Sequence, residues 1–423
     1  MTMNTRRRPL LVLLALLATL PPAAGTSLAI TDEEIFRAFP FNLQNPGARA
    51  MGIGGAFISL ADDSTAAQAN PAGLTQLRDA ELFAELRVTG RDEVASNLSV
   101  DFASNTFTGN ITAGAVSDPS NQVHPSFLSY VLPLERVAFG FSRLESLRVR
   151  SRTQNLFTVV GERAIFDVGL DGRPVIVGTE TVDEARTADA DVNANIAQYN
   201  AGVAVNLHRT LSVGVTAVLG VLSIDGRVDN TFSDRSDPLL SGLTLLDYST
   251  RIDDDDTDFA ANVGILWRPI DAFRVGAVYR QGHRFVVTEE ISEIGFGSQT
   301  VKKQFGGTFE NVIHTPDSYG LGVSWRPSEP LTFFLDAVHV EYSDLLDGYR
   351  PGLNRITYPN DETAFTVDDG TEVHFGVEYL LVNGGTPLAL RVGAWRDVDN
   401  RIRAVEEGLD VVFPAGEDVT HYT

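Results

Sequence analysis

The chain has 423 residues, no cysteine, and 56 Asp and Glu against 33 Lys and Arg, for a formal net charge of −23. So acidic a chain excludes nucleic acid as a natural partner, and the missing cysteine excludes a disulfide scaffold, a thiolate metal site and a lipidated N-terminal cysteine. Length alone suggests two or three domains, but no Pro/Ser linker or composition shift divides the chain after its N-terminus, so one large domain is expected.

Residues 1–29 read as an export signal. Arg6, Arg7 and Arg8 form a positive head, Leu10 to Leu20 an apolar stretch, and Ser27-Leu28-Ala29 the best small-residue cleavage site. Ended by Pro21 and Pro22, the apolar stretch is too short for a spanning helix, which needs roughly 20 residues. The mature protein is expected in a bacterial envelope.

Residues 30–78 form the next unit. It opens on Asp32-Glu33-Glu34 and then brings Phe36, Phe39, Phe41 and Leu43 close together. From Asn45 to Leu77 the sequence reads NPGARAMGIGGAFISLADDSTAAQANPAGLTQL. Gly and Ala let backbone approach backbone, Pro71 breaks any ladder, and Asn70 before it is pushed to an extended conformation. Such a segment can pack into a confined space. Gly52-Ile53-Gly54-Gly55 is not a dinucleotide loop, since Phe57 takes the sixth position and no strand–helix unit surrounds it.

From Glu81 onward the dominant signal is alternation with period two, which means strands. Glu81 to Thr89 is the first. Later, Phe259, Ala261, Val263, Ile265 and Trp267 share one face, while Ala260, Asn262, Gly264 and Leu266 share the other. The pattern repeats from Leu211 to Leu219 and from Tyr319 to Trp325. Tight antiparallel turns are predicted at Leu134-Glu135-Arg136, Leu207-His208-Arg209, Trp267-Arg268-Pro269, Trp325-Arg326-Pro327 and Asn383-Gly384-Gly385. At the opposite ends Ser151 to Ala190, Asp225 to Thr257 and Asp344 to Gly370 read as long polar loops. One face is apolar and the other is mostly small or weakly polar, with Tyr130, Trp267, Tyr279, Trp325 and Tyr379 near strand ends. Short turns at one end, long loops at the other and interfacial aromatics describe an all-β, transmembrane antiparallel barrel.

Other constellations point to no chemistry. Asp253 to Asp256 with Asp258 offers oxygen ligands, but it lacks EF-hand spacing and reads as a solvated run. The seven histidines form no H-E-x-x-H and accompany no G-x-S-x-G. No enzyme, cofactor or metal site is expected.

The segment Asn45 to Leu77, its Asn70-Pro71-Ala72 motif just ahead of the first strand, and the stretch Thr315 to Pro327 with Tyr342-Ser343-Asp344 downstream together resemble the FadL long-chain fatty acid transporter family. The resemblance covers nearly the whole mature chain, and Asn-Pro-Ala is its most specific element. It implies a 14-stranded outer-membrane barrel, about 11 strands of it complete here, plugged by an N-terminal hatch. The implied function is passive transport of fatty acids or other hydrophobic compounds that leave sideways into lipid, by a monomer. It assigns Asn70, Pro71 and Ala72 to the hatch and gate, and it brings Phe36, Phe39, Phe41 and Leu43 near the lumen, where they either contact bound cargo or pack the hatch against the barrel wall. The acidic lead-in departs from the family, whose N-terminus starts close to the hatch. An alternative role of such barrels is as a scaffold or shuttle in protein secretion. Against 14 strands, residues 79–423 are expected to form a barrel truncated at its C-terminal end, with a gap between the first strand and the strand Leu388 to Ala394 and a twelfth strand starting near Asp418.

Overall fold

The computed structural model describes residues 45–91, 94–103, 107–117, 120–168, 174–236, 245–293, 296–297, 300–301, 306–348, 365–383, 386–400, 402–404 and 418–423. Beyond the N-terminal segment these are almost entirely antiparallel strands. They are β1 (Glu81–Arg91), β2 (Val94–Ala103), β3 (Phe107–Ser117), β4 (Ser120–Pro133), β5 (Val137–Val168), β6 (Pro174–His208), β7 (Leu211–Asp234) and β8 (Leu245–Ile270). The second half adds β9 (Phe273–Arg280), β10 (Arg284–Glu293), β11 (Gly306–His314), β12 (Ser318–Ser328), β13 (Leu331–Val340), β14 (Gly370–Asn383), β15 (Thr386–Asp397) and β16 (Val419–Tyr422).

All belong to one 16-stranded sheet. Its neighbours run β1, β4, β5, β6, β7, β8, β9, β12, β13, β14, β15, β16, and the hairpins β2–β3 and β10–β11 branch from β5 and β8. The expected gap is present: β1 and β16 are free edges, with no ladder joining them among the described residues. The strand expected near Asp418 is present as β16, which covers part of β15 from Ala394↔Tyr422 to Asp397↔Val419.

Of the five predicted turns, Leu134-Glu135-Arg136 joins β4 to β5 and Leu207-His208-Arg209 lies at the β6–β7 link, while Gly384 and Gly385 lie outside the described residues. Trp267-Arg268-Pro269 and Trp325-Arg326-Pro327 fall in the last residues of β8 and β12, just ahead of the links to β9 and β13. These two show why Trp-Arg-Pro suits the site. Register slips between Trp267 and Ile270 and between Trp325 and Ser328, so Pro269 and Pro327 sit in bulges where no ladder N–H is required. Alternation also has the expected sense. Phe259, Val263, Ile265 and Trp267 face outward, while Ala260, Asn262 and Leu266 face the interior. Tyr279 packs on Tyr319 with ring centroids 5.1 Å apart, and Trp325 stacks on Phe333 at 5.8 Å. The six steps along β12 from Tyr319 to Trp325 amount to about 20 Å at strand rise, close to the apolar band of an outer-membrane barrel. Among the described residues no helix is long and apolar enough to cross a membrane.

The loop expectation needs correction. Ser151 to Ala190 and Asp225 to Thr257 lie mostly within strands, as β5 and β6 run for 32 and 35 residues and β7 and β8 for 24 and 26. Their outward residues are mostly polar, Leu156 and Val160 being exceptions, but the inward positions keep the period. Ala188, Ala190, Val192, Ala194 and Ile196 are all buried. The third segment begins with a 3-10 helix, Tyr342–Leu346, and residues 349–364 lie outside the described residues.

Candidate functional site

The N-terminal segment fills the short-turn half of the sheet's concave face. It comprises α1 (Ala48–Gly52), α2 (Ala66–Ala69) and a 3-10 helix, Pro71–Gln76. Ile53, Phe57, Ile58 and Leu74 are fully buried against the wall, each contributing about 1.5–3 kcal/mol by area removed from water. Hatch residues share one apolar cluster with Val131, Ala138, Ala204 and Phe334 of the strands.

Asn70, Pro71 and Ala72 form the joint between hatch and wall. Asn70 is extended, with φ −160 and ψ 107, and its side-chain oxygen accepts from Ala72 N at 3.1 Å to cap the 3-10 helix that Pro71 begins. Its amide donates to Ile58 O at 3.0 Å and to Ile265 O of β8 at 3.1 Å. One fully buried side chain thus links two parts of the hatch to a strand. Phe36, Phe39, Phe41 and Leu43 lie outside the described residues.

What the sequence reading missed is how the wall receives the hatch. Inward-facing glycines pair across strands at hatch level: Gly140↔Gly202, Gly214↔Gly264, Gly276↔Gly322 and Gly376↔Gly393. A β-carbon on Gly264 would overlap Asn70 Oδ1, one on Gly214 the Pro71 carbonyl group, and one on Gly393 the backbone of Ile53 and Gly54. Gly54, at φ 66, makes that last approach in a left-handed conformation that favours glycine. The signal was legible as glycine at inward positions of successive strands, but it was absorbed into a face that read only as small or weakly polar.

Polar side chains complete the seat. Gly47 N–H donates to Glu85 at 2.7 Å, Ile58 N–H to Asp336 at 2.8 Å, and Arg280 donates to Ala69 O at 2.8 Å and Asn45 Oδ1 at 3.1 Å. His374 Nδ1 meets Gly54 O at 2.8 Å, its Nε2 meets Glu372 at 3.3 Å, and Tyr342 donates to Glu372 at 2.9 Å. Within the hatch Arg49 pairs with Asp62 at 2.6 Å and reaches Glu378 at 3.2 Å. Burial pushes the Asp62 carboxyl above its ordinary value even though Arg49 pulls the other way.

Besides the open edges of β1 and β16, the wall beside this seat shows two breaks in strand pairing among the described residues. The first break is a wedge between β4 and β5. Their ladder ends at Phe127↔Leu144, after which β4 stays with β1, while β5 takes up β3 only from Thr153↔Ser117. Bulges at Glu85/Leu86 and Glu145/Leu147 accompany the split. Residues 145–152 of β5 therefore have no strand on that side, and side chains span the space instead. His124 contacts the buried Glu145, which also accepts from Arg148 at 3.1 Å and Asn195 at 2.9 Å, and Arg148 donates to Gln122 at 2.8 Å. Just inside lie Leu147 and Val149, members of an apolar cluster with Ile196, Leu222, Ile252 and Phe285. Just outside, Leu86, Val88 and Val123 are 72, 72 and 71% exposed.

The second break is a seam between β8 and β10. Backbone pairing resumes only at Ile252↔Glu289, and below it the carboxylates of Asp254, Asp256 and Asp258 accept from the N–H groups of Thr288, Val286 and Arg284 at 2.8, 2.7 and 2.8 Å. Three residues of the run read as solvated are therefore strand-edge acceptors.

No family model and no curated protein matches the chain. Among solved structures, it is similar to the toluene transporter TodX of Pseudomonas putida at TM-score 0.50 and 17% identity, over 90% of this chain and 89% of that one. It is similar to a FadL homologue of Pseudomonas aeruginosa at TM-score 0.51 and 15% identity, over 84% and 81%. The chain carries the FadL-type outer-membrane β-barrel fold.

Proposed function

We propose that this chain is a passive outer-membrane channel for hydrophobic compounds, fatty acids or hydrocarbons, acting as a monomer with no catalytic step. Cargo comes in from the long-hairpin side, meets the apolar cluster above the hatch, and leaves sideways through the β4–β5 wedge into lipid. The short turns face the periplasm, as is usual for such barrels. The wedge carries this reading, because apolar side chains flank it on both the inner and the outer side.

Energetics favour the sideways route. Removing the hatch whole would expose Ile53, Phe57, Ile58 and Leu74, at about 1.5–3 kcal/mol each, and would break its hydrogen bonds to the wall. Parting the wedge needs only a few side-chain contacts to give way and breaks no strand ladder. A hydrocarbon cargo gains about 0.8 kcal/mol per CH₂ on leaving water, so it has no reason to exit axially. Asn70, Pro71 and Ala72 then act as the fixed joint that keeps the axial path shut. The names of the similar structures, a toluene transporter and a FadL homologue, support the cargo class.

The chain has no cysteine, so a designed pair reports without background. Q122C/R148C, bridged by a disulfide or a short bis-thiol reagent, is expected to abolish uptake of toluene or a long-chain fatty acid and to regain it on reduction. Undiminished uptake with the bridge formed would remove the wedge from the route.

A further inference from the structure

At the short-turn end, a cavity of about 880 Å³ opens between the last residues of the hatch, the turns following β4 and β6, and the end of β8. Its lining presents Arg78, Arg136, Arg209 and Arg268 against the one carboxylate of Glu135. In a chain of formal charge −23 this is an unusual concentration of positive charge. Arg49, Arg148 and Arg391 each sit on a carboxylate, whereas none of the four cavity arginines is ion-paired with a described residue.

The cavity is held open by backbone. Asn206 N–H donates to Arg136 O at 3.0 Å and Arg268 N–H to Thr210 O at 2.7 Å, so the neighbouring turns are fixed relative to one another. Beside the guanidinium groups, Leu134 and Leu207 are 57% and 62% exposed. An inorganic anion would use only the arginines, and a neutral hydrocarbon only the leucines.

We propose that this mouth binds an anionic amphiphile, a carboxylate or phosphate head on an alkyl chain. The guanidinium forks hold the oxyanion and the leucines cover the first part of the chain. The site lies on the far side of the hatch from the lumen, so it goes beyond the uptake route and stands whether or not cargo passes the wedge. Arg78 stands one residue beyond the C-cap Leu77 of the hatch's 3-10 helix, and Thr75, Gln76 and Leu77 line the same cavity, which places an occupied site in contact with that end.

The full chain in neutral maltoside detergent is titrated with dodecyl phosphate, dodecanoate, dodecanol and inorganic phosphate. Wild type is expected to bind at least one of the two charged amphiphiles about tenfold or more tighter than dodecanol or inorganic phosphate. That binding should weaken with salt. A preference for dodecyl phosphate identifies a phospholipid head as the source, a preference for dodecanoate a fatty acid, and each supports the site. R136Q/R209Q, on two turns, and separately R78Q, on the hatch, are each expected to weaken this binding several-fold, with heat-modifiable gel mobility unchanged. The proposal fails if dodecanol or inorganic phosphate binds wild type as tightly as the charged amphiphiles, or if variants that assemble normally bind like wild type.

Discussion

The two interruptions of the wall are built differently. At the β8–β10 seam, carboxylates two residues apart accept N–H groups two residues apart, so the missing ladder is replaced in register and one strand edge stays satisfied. At the β4–β5 wedge, side chains mostly meet side chains, with a link to backbone from Arg143 to Pro125 O at 2.9 Å. The same apolar cluster lies inside both breaks, but the seam is bridged by acids bound to backbone and the wedge by the side chains of His124, Glu145, Arg148 and Gln122. A break closed in register by carboxylates on fixed backbone N–H donors acts as a strut, whereas one closed mostly by pairs of rotatable side chains, with exposed Leu86, Val88 and Val123 just outside it, can part for an apolar solute.

The largest expected effect tests that contrast directly. Thr288 N–H lies 2.8 Å from Asp254, so D254C/T288C places a bridge across the seam equivalent to Q122C/R148C across the wedge. Uptake is expected to survive the seam bridge nearly unchanged and to fall to background with the wedge bridge, measured at equal surface expression. Equal loss from both would mean that the barrel must flex as a whole.

Much of this was open to sequence reading, for a physical reason. Strand faces repeat every second residue, and turns carry glycine, proline and bulge chemistry, so Trp267-Arg268-Pro269 and Trp325-Arg326-Pro327 were recognisable locally. Asn70-Pro71 was recognisable too, because proline constrains its predecessor. The long hairpins were misread because a polar outward face masks an inward alternation such as Ala188 to Ile196. The wedge was invisible. Nothing local in Glu145-Ser146-Leu147 says that β4 follows β1 while β5 waits for β3; that depends on register between segments far apart.

A weaker effect is expected where the wall seats the hatch. G264A puts a methyl group where Asn70 Oδ1 lies, and relieving that overlap typically costs about 1–3 kcal/mol. N70A keeps the space but loses the bonds to Ile58 O and Ile265 O, leaving buried carbonyls short of a donor. N70A/P71A also removes the fixed turn. All three should still give a heat-modifiable barrel, yet admit small hydrophilic solutes that wild type excludes, with hydrophobic uptake changed only a few-fold. Liposome swelling with a small sugar measures the leak, and swelling indistinguishable from wild type in all three would show that this joint does not close the axial path.

The smallest effect belongs to the seam. Thr288 N–H donates to Asp254 and holds its carboxyl below the ordinary carboxylate value. A depressed pKa means stability that is present above the unfolded value, about 3.9, and is lost as pH falls through the folded one. Protection of the Thr288 amide from hydrogen exchange, corrected for intrinsic rate, should therefore hold at pH 5 and drop only below the usual carboxylate range. D256A should act at neutral pH and on one position, lowering protection of Val286 by roughly the tenfold that about 1.4 kcal/mol provides. Because the two neighbouring carboxylates keep their bonds, hydrophobic uptake should not change. If Val286 stays fully protected in D256A, the acids are solvated after all, and the seam owes its closure to the β10–β11 hairpin alone.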